Sequence, residues 1–186
     1  RFHPEKPARG GDRSGRFAAG RQVEKSLKFT DFQAKLKRDL KESGNRLSAG
    51  PAFEDPGQLP ALILAYIGDA VFSLHVRTAM LSVEPNRVQI LHTLLAQMAS
   101  ARLQALALFE LEDAGLNEME QAVVRRGRNA KGRAPRSSSI AEYRSSTALE
   151  ALLGYLYLCG HQERLKAVLG LIVDFMCSVM ASEMEG

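Results

Sequence analysis

The stretch LPALILAYIGDAVFSLHVRTAML, residues 59–81, is apolar almost throughout and long enough for about six helical turns. Pro60 lies near its start, where the missing amide hydrogen of proline does not weaken a helix. Asp69 nevertheless stands in the middle of this segment. A buried charge without a partner is strongly destabilising, so a second group must compensate the carboxylate of Asp69.

The chain beyond residue 81 keeps the helical spacing of apolar residues, with turn residues between the periodic runs. A second helix is predicted after Pro85. The apolar residues that it would present to a core are Ile90, Leu91, Leu94, Leu95, Met98, Leu103 and Leu106.

Capping signals predict where the next helices begin. Asn117 followed by Glu120 has the spacing of a capping box, and Ser139 with Glu142 repeats it. The helix after Ser139 is predicted to end near Gly160, and a fifth helix is predicted from about Gln162 to Met180. The sequence therefore predicts an all-α helical bundle.

Three parts are predicted along the chain: a basic extension at 1–58, a domain at 59–181 and a tail at 182–186. The first twenty residues or so are rich in Gly, Arg and Pro without periodicity, so we expect them to be disordered. A short basic helix is predicted after them, from the spacing of Phe29, Phe32, Leu36 and Leu40. The sequence begins at Arg1 and not at a methionine, which leaves a leader segment upstream open.

The net charge of +4 is distributed unevenly. Residues 1–50 contain 13 Lys or Arg against 6 Asp or Glu, so the remainder is slightly acidic. Seven basic residues of that remainder are concentrated in one segment: Arg125, Arg126, Arg128, Lys131, Arg133, Arg136 and Arg144. A basic segment rich in Gly and Pro in an acidic domain favours binding to RNA or DNA, although a solvated charge run is the alternative.

Composition excludes several classes of protein. The two cysteines, Cys159 and Cys177, have no His or Cys at ligand spacing, so we expect buried thiols in a reducing cytoplasm and no disulfide framework or zinc site. A membrane span needs about 20 unbroken apolar residues. Asp69, His75 and Arg77 interrupt the longest run, so no membrane-spanning helix is predicted.

Glu150 is a counterpart of Asp69, because it too is a lone acid among Ala and Leu in an apolar helix. One such acid is most simply explained by an Arg partner or by a cap. Two of them, in helices that pack side by side, would bring two carboxylates together on a divalent cation such as Mg²⁺. Gly68 and Gly154 would then allow a close approach of the two backbones.

Four segments together resemble a known family. AYIGDAVFSLHVR, residues 65–77, resembles the signature helix of the ribonuclease III catalytic domain. With RRGRNAK (125–131), YRSSTALEALLGYLYL (143–158) and HQERL (161–165), the chain resembles Mini-III ribonuclease from about Leu59 to Phe175. The family implies a ribonuclease III-like all-helical domain that dimerises through its signature helices and cuts double-stranded RNA with Mg²⁺. No appended double-stranded RNA-binding domain is expected.

The resemblance also implies roles for individual residues. Asp69 matches the signature aspartate and Glu150 the C-terminal glutamate, which bind the metal and catalyse in the family. Ala65 and Thr147 stand where full ribonuclease III has two further carboxylates, and Mini-III shares both losses. The loop that contacts RNA in the family matches Arg125, Arg126, Gly127, Arg128, Asn129, Ala130 and Lys131.

The family implies a biological setting as well. Bacterial members mature the precursor of the large-subunit ribosomal RNA, and plastid relatives act on ribosomal and intron RNA. A cytoplasmic homodimer is therefore expected, or a plastid protein if the source is a plant or alga. Two alternatives stay open from the residues: a catalytically inactive RNA-binding protein on this fold, and a helical dimer whose basic loop binds a protein.

Overall fold

The structure is a computed structural model that describes residues 31, 33–34 and 55–184. The chain divides into two compact units, Arg1–Gly50 and Pro51–Gly186. In the first unit, Asp31, Gln33 and Ala34 are helical and exposed. The four apolar residues of the predicted short helix, and the remaining residues before Asp55, lie outside the described residues.

Six helices and no strands make up residues 55–184, which agrees with the all-α prediction. A 3₁₀ turn at Pro56–Gln58 precedes the first of them. The helices are α1 (Ala61–Leu81), α2 (Val88–Met98), α3 (Ala101–Ala114), α4 (Glu118–Arg128), α5 (Ile140–Leu158) and α6 (Gln162–Met184).

The two predicted capping boxes are both present. At the start of α4 the Asn117 side chain accepts from the Glu120 amide at 2.9 Å, and the Glu120 carboxylate accepts from the Asn117 amide at 3.1 Å. Ser139 and Glu142 make the same reciprocal pair at the start of α5. Side chains thus satisfy amide groups that a helix terminus leaves without partners, so the sequence fixes these two starts locally.

The prediction of a single helix after Pro85 is wrong, because the chain forms two helices there, α2 and α3. Ser100 has extended backbone angles, and its side chain accepts from the Leu103 amide, so it ends one helical run and caps the next. Ile90, predicted to face the core, is instead exposed. At the start of α1, Pro60 precedes the helix rather than lying in its first turn.

Helix α5 is the centre of the bundle. Twelve of its 19 residues are buried, on all sides of the helix. Helices α1, α3 and α4 pack directly around it, and α6 packs mainly on α3. A helix that is apolar on all sides is stable only when other helices cover it, and Glu150, in the middle of α5, is partly buried there.

Helices α1 and α6 are each long and apolar enough to cross a membrane by length and composition alone. Core helices of soluble proteins meet the same criterion, and both helices contribute buried residues such as Phe72 and Ile172 to the core. In α6 the helix continues to Met184, three residues beyond the predicted end of the domain at 181. The prediction of two buried thiols is wrong, because Cys159 is only partly buried and Cys177 is exposed.

Candidate active site

The candidate site is built where α1 and α5 approach each other most closely. A Cβ atom on Gly68 would lie 1.7 Å from the backbone oxygen of Glu150, and one on Gly154 would lie 2.0 Å from the backbone oxygen of Leu64. Real atoms do not approach so closely, so only glycine permits this packing. The close approach predicted for the two glycines is confirmed, and it places Asp69 beside Glu150.

Asp69 and Glu150 form a pair of carboxylates that no Lys, Arg or His of the described residues compensates by an ion pair. Asp69 is exposed and Glu150 is partly buried. Burial, followed by the nearby negative charge of Asp69, raises the pKa of Glu150 from its ordinary value of 4.5 to about 7, while the Gln104 amide acts in the opposite direction. Among the ion pairs of residues 55–184, none includes either acid. Two like charges here would be stabilised by a bound cation.

The Glu150 side chain borders a cleft of about 520 Å³. Helix α3 contributes Arg102 and Gln104, and α5 contributes Tyr143 and Thr147. Arg102, at the edge of this cleft, forms an ion pair with Glu183 of α6. The cleft is large enough for part of an extended polar ligand, and Glu150 is positioned to act on such a ligand.

Asp69 and Glu150 are the two acids present at the four carboxylate positions of full ribonuclease III. Ala65 is buried in the core, and Thr147 is buried at the wall of the cleft. No cluster of three or more His, Cys, Asp or Glu side chains with metal-binding geometry occurs in the described part of the chain. Magnesium is commonly held by one or two carboxylates, with water and substrate phosphates completing its six ligands, so this smaller set fits Mg²⁺.

Most of the predicted RNA-binding residues are exposed around the end of α4 and the loop that follows. Arg126 donates weakly to the Leu59 carbonyl at 3.4 Å. The predicted RNA-binding residues that are exposed to solvent are Arg125, Arg126, Asn129, Lys131, Arg133, Arg136 and Arg144. Six of these seven exposed side chains carry a positive charge that is open to contact with phosphates.

Arg128 differs from these residues because the fold already uses its charge. Its guanidinium donates two hydrogen bonds to the Glu112 carboxylate, at 2.8 and 2.6 Å, and lies 5.9 Å from the centre of the Phe109 ring. Such bidentate pairs hold both side chains in one geometry. Arg128 therefore connects the end of α4 to α3 and is not available to a phosphate in this arrangement.

The loop at residues 129–139 lies beside the cleft. The Tyr143 hydroxyl is so close to Gly132 that a Cβ there would lie 1.9 Å from it. Pro135, Ser137 and Ser138 line the cleft itself. The folded chain thus brings the cationic loop next to Glu150.

Gln104 is a site residue that the sequence interpretation missed. It is 1% exposed and lies beside Glu150, although it is polar. Its signal was available, because Gln104 sits in a helical run whose core register includes Leu103, Ala107 and Leu108. A polar residue at a core position indicates a specific partner.

Comparisons with known proteins agree with this arrangement. The family model of the ribonuclease III domain matches residues 62–161. A crystal structure of a Fusobacterium nucleatum protein superposes with a TM-score of 0.58 at 28% identity, and covers 63% of this chain and 93% of that one. The fold and the site thus define an enzyme of the ribonuclease III class.

Similarity to curated proteins is more specific. Mini-ribonuclease 3 of Symbiobacterium thermophilum is 50% identical over 123 residues, which cover 66% of this chain and 94% of that protein. Mini-ribonuclease 3 of Gloeobacter violaceus is 44% identical over 126 residues, 65% of this chain and 90% of that protein. The chain belongs to the Mini-ribonuclease 3 family and is an endoribonuclease.

Proposed function

We propose that this endoribonuclease hydrolyses phosphodiester bonds of double-stranded RNA and depends on Mg²⁺ held by Asp69 and Glu150. The observation that carries the proposal is that Glu150, with Asp69 beside it, lines a cleft whose wall includes part of the cationic loop. A partly buried glutamate with a raised pKa, next to a second acid, is costly to the fold, and a divalent cation would remove that cost.

The residues of the chain divide the work of the reaction. The loop cations Lys131, Arg133 and Arg136 would bind backbone phosphates without reading sequence. Asp69 and Glu150 would hold the cation, which supplies Lewis-acid activation of the phosphodiester when bound. Water is the nucleophile in this hydrolysis. The close packing at Gly68 fixes the positions of both acids before RNA arrives, so little rearrangement is required.

Dimerisation through α1 is part of the proposal. Tyr66 and Leu74 on this helix are 76% and 67% exposed, and Leu62, Ile63 and Ala70 are also exposed. An exposed apolar face of this kind is suited to a second copy of the chain. Asp69 lies on the same helix, so two copies would bring two acidic sites to one duplex. Leu74→Arg should give a monomer in sedimentation velocity, whereas the exposed Val83→Arg, outside α1, should not.

The proposed substrate in the cell is the precursor of the large-subunit ribosomal RNA, and the proposed location is the cytoplasm. Membership of the Mini-ribonuclease 3 family supports both proposals. Loss of the protein should leave extended ends on large-subunit ribosomal RNA, and end mapping would detect them. Mature ends in such a strain would point to another duplex RNA.

The decisive test is cleavage of a long RNA duplex by the full chain, with Mg²⁺ and with chelator, by wild type and Asp69→Asn. Cleavage that needs Mg²⁺ and is lost in Asp69→Asn would support the proposal. Duplex binding without cleavage under any metal would point to an inactive RNA-binding protein. Cleavage that persists in chelator would contradict the metal assignment.

A further inference from the structure

The burial of Gln104 requires an explanation. Gln104 and Glu120 are the only polar members among the largest fully buried side chains of the described residues. Glu120 has its capping box and two hydrogen bonds from Arg164. A buried amide is destabilising unless it is hydrogen-bonded, so Gln104 also needs a partner.

The group beside Gln104 is the carboxylate of Glu150. The two residues come from different helices, α3 and α5, and line the same cleft. The burial of Gln104 and the shared cleft place its amide next to this carboxylate, where a donated hydrogen bond lowers the pKa of Glu150. No Lys, Arg or His within residues 55–184 forms an ion pair with Glu150. Gln104 is therefore the polar side chain that α3 supplies to this acid.

A neutral donor has a particular advantage at this position. An Arg or Lys beside Glu150 would neutralise the carboxylate and compete with a cation for it. An amide restricts the orientation of the carboxylate but leaves its full negative charge for a metal. Groups that hydrogen-bond to a metal-binding carboxylate commonly have this orienting role.

We propose that Gln104 is a positioning residue, which orients Glu150 toward the divalent cation; this inference rests on the proposed function. The variant Gln104→Met keeps similar volume but cannot donate. It should weaken binding of Mn²⁺ to the full chain, without RNA, by about tenfold or more. Mn²⁺ binding is measured by the loss of the electron paramagnetic resonance signal of the free ion. The Mg²⁺ midpoint of duplex cleavage should rise similarly, and saturating Mg²⁺ should restore most of the rate.

Matched variants separate positioning from folding. Gln97→Met alters an exposed glutamine of α2 that is not in the Glu150 cleft, and it should leave Mn²⁺ affinity unchanged. Leu108→Val reduces core packing on the same helix as Gln104, so it should lower the melting temperature but not the Mn²⁺ affinity. In a Glu150→Gln background, Gln104→Met should have no further effect on Mn²⁺ binding.

Two results would overturn the inference in different ways. Mn²⁺ affinity and Mg²⁺ midpoint of Gln104→Met within twofold of wild type would remove the role of Gln104 while the metal site stands. If the wild type binds Mn²⁺ no better than a double Asp69→Asn, Glu150→Gln variant, the metal-site proposal is wrong, and this inference is wrong with it. If Gln104→Met does not fold, Gln104→Asn is used instead, because it retains an amide with shorter reach. Gln104→Asn should also weaken Mn²⁺ binding, and an unchanged Mn²⁺ affinity would overturn the inference.

Discussion

Two glutamates on neighbouring helices of the bundle, Glu120 and Glu150, have opposite surroundings. Burial by itself raises the pKa of Glu120, but hydrogen bonds from Arg164 and the Asn117 amide, with the charge of Arg164, outweigh it and hold that pKa below its ordinary value. Burial and the charge of Asp69 raise the pKa of Glu150 to about 7. The fold compensates the first acid fully and leaves the second beside another carboxylate. Placing two carboxylates side by side destabilises the fold and is not needed for folding, so this pair indicates a functional site.

The cations divide in the same way. Arg128 and Arg164 are held by the buried or partly buried acids Glu112 and Glu120. Lys131 and Arg133 are exposed on the loop beside the cleft. Arg128 and Arg164 thus have ion-pair partners that stabilise the fold. The charged residues that we assign to catalysis and RNA binding have no ion-pair partner among the described residues. The following variants test that division.

The largest expected effect is on catalysis. Glu150→Gln should reduce the cleavage rate at least about a hundredfold, because it removes a ligand of the cation that stabilises the transition state. Glu120→Gln should keep a rate near that of wild type at a temperature where it is folded. Single-turnover cleavage of one duplex compares them, and equal losses in both variants would contradict the division.

The second effect concerns stability. Glu120→Gln keeps the N3 side chain that the capping box needs but removes the charge that pairs with Arg164. We expect a loss of about 1–3 kcal/mol in the free energy of unfolding. Urea denaturation at fixed protein concentration measures it. A loss below a few tenths of a kcal/mol would mean that the ion pair contributes little to the fold.

The third effect depends on pH, and its sign follows from the raised pKa of Glu150. Between pH 4.5 and about 7 the folded state retains a proton that the unfolded state has lost, so this acid lowers stability as pH rises. In chelator, Glu150→Gln should therefore be more stable than wild type at pH 8 by about 1–3 kcal/mol, with most of the gain absent at pH 5.

Glu120→Gln is the control for this pH dependence. In the wild type the pKa of Glu120 is lowered, so the stability that this carboxylate contributes is present above the ordinary pKa of a glutamate and is lost only in acid. The difference between Glu120→Gln and wild type should thus be the same at pH 5 and pH 8. A pH-independent difference for Glu150→Gln would show that its carboxyl titrates normally.

The smallest effect is on RNA binding. Lys131→Ala should reduce the slope of log affinity against log salt by about one, because one phosphate contact is lost. Arg128→Ala should leave that slope unchanged, since Glu112 already neutralises its guanidinium. Binding is measured to duplex RNA in chelator at several salt concentrations. A reduced slope for Arg128→Ala would mean that Arg128 leaves Glu112 to bind RNA.

Some features were predictable because short stretches of sequence determine them. Reciprocal hydrogen bonds over three residues fix the starts of α4 and α5, so Asn117 and Ser139 were identified correctly. The break at Ser100 was missed, because apolar spacing continues across it and a lone serine is a weak signal. The exposure of Cys177 and Ile90 depends on which neighbours cover α6 and α2, and no local pattern carries that information.

The helical class, the two lone acids, the cationic segment and the family can all be predicted from the amino-acid sequence, because they depend on residue types and their spacing. Which charges have a compensating partner is set by the packing of the helices. This packing pairs Arg128 with Glu112, buries Gln104 beside Glu150 and leaves Asp69 and Glu150 together. The physical reason is that electrostatic energy depends on distance and burial, and residues such as 69 and 150 become neighbours only when α1 and α5 pack.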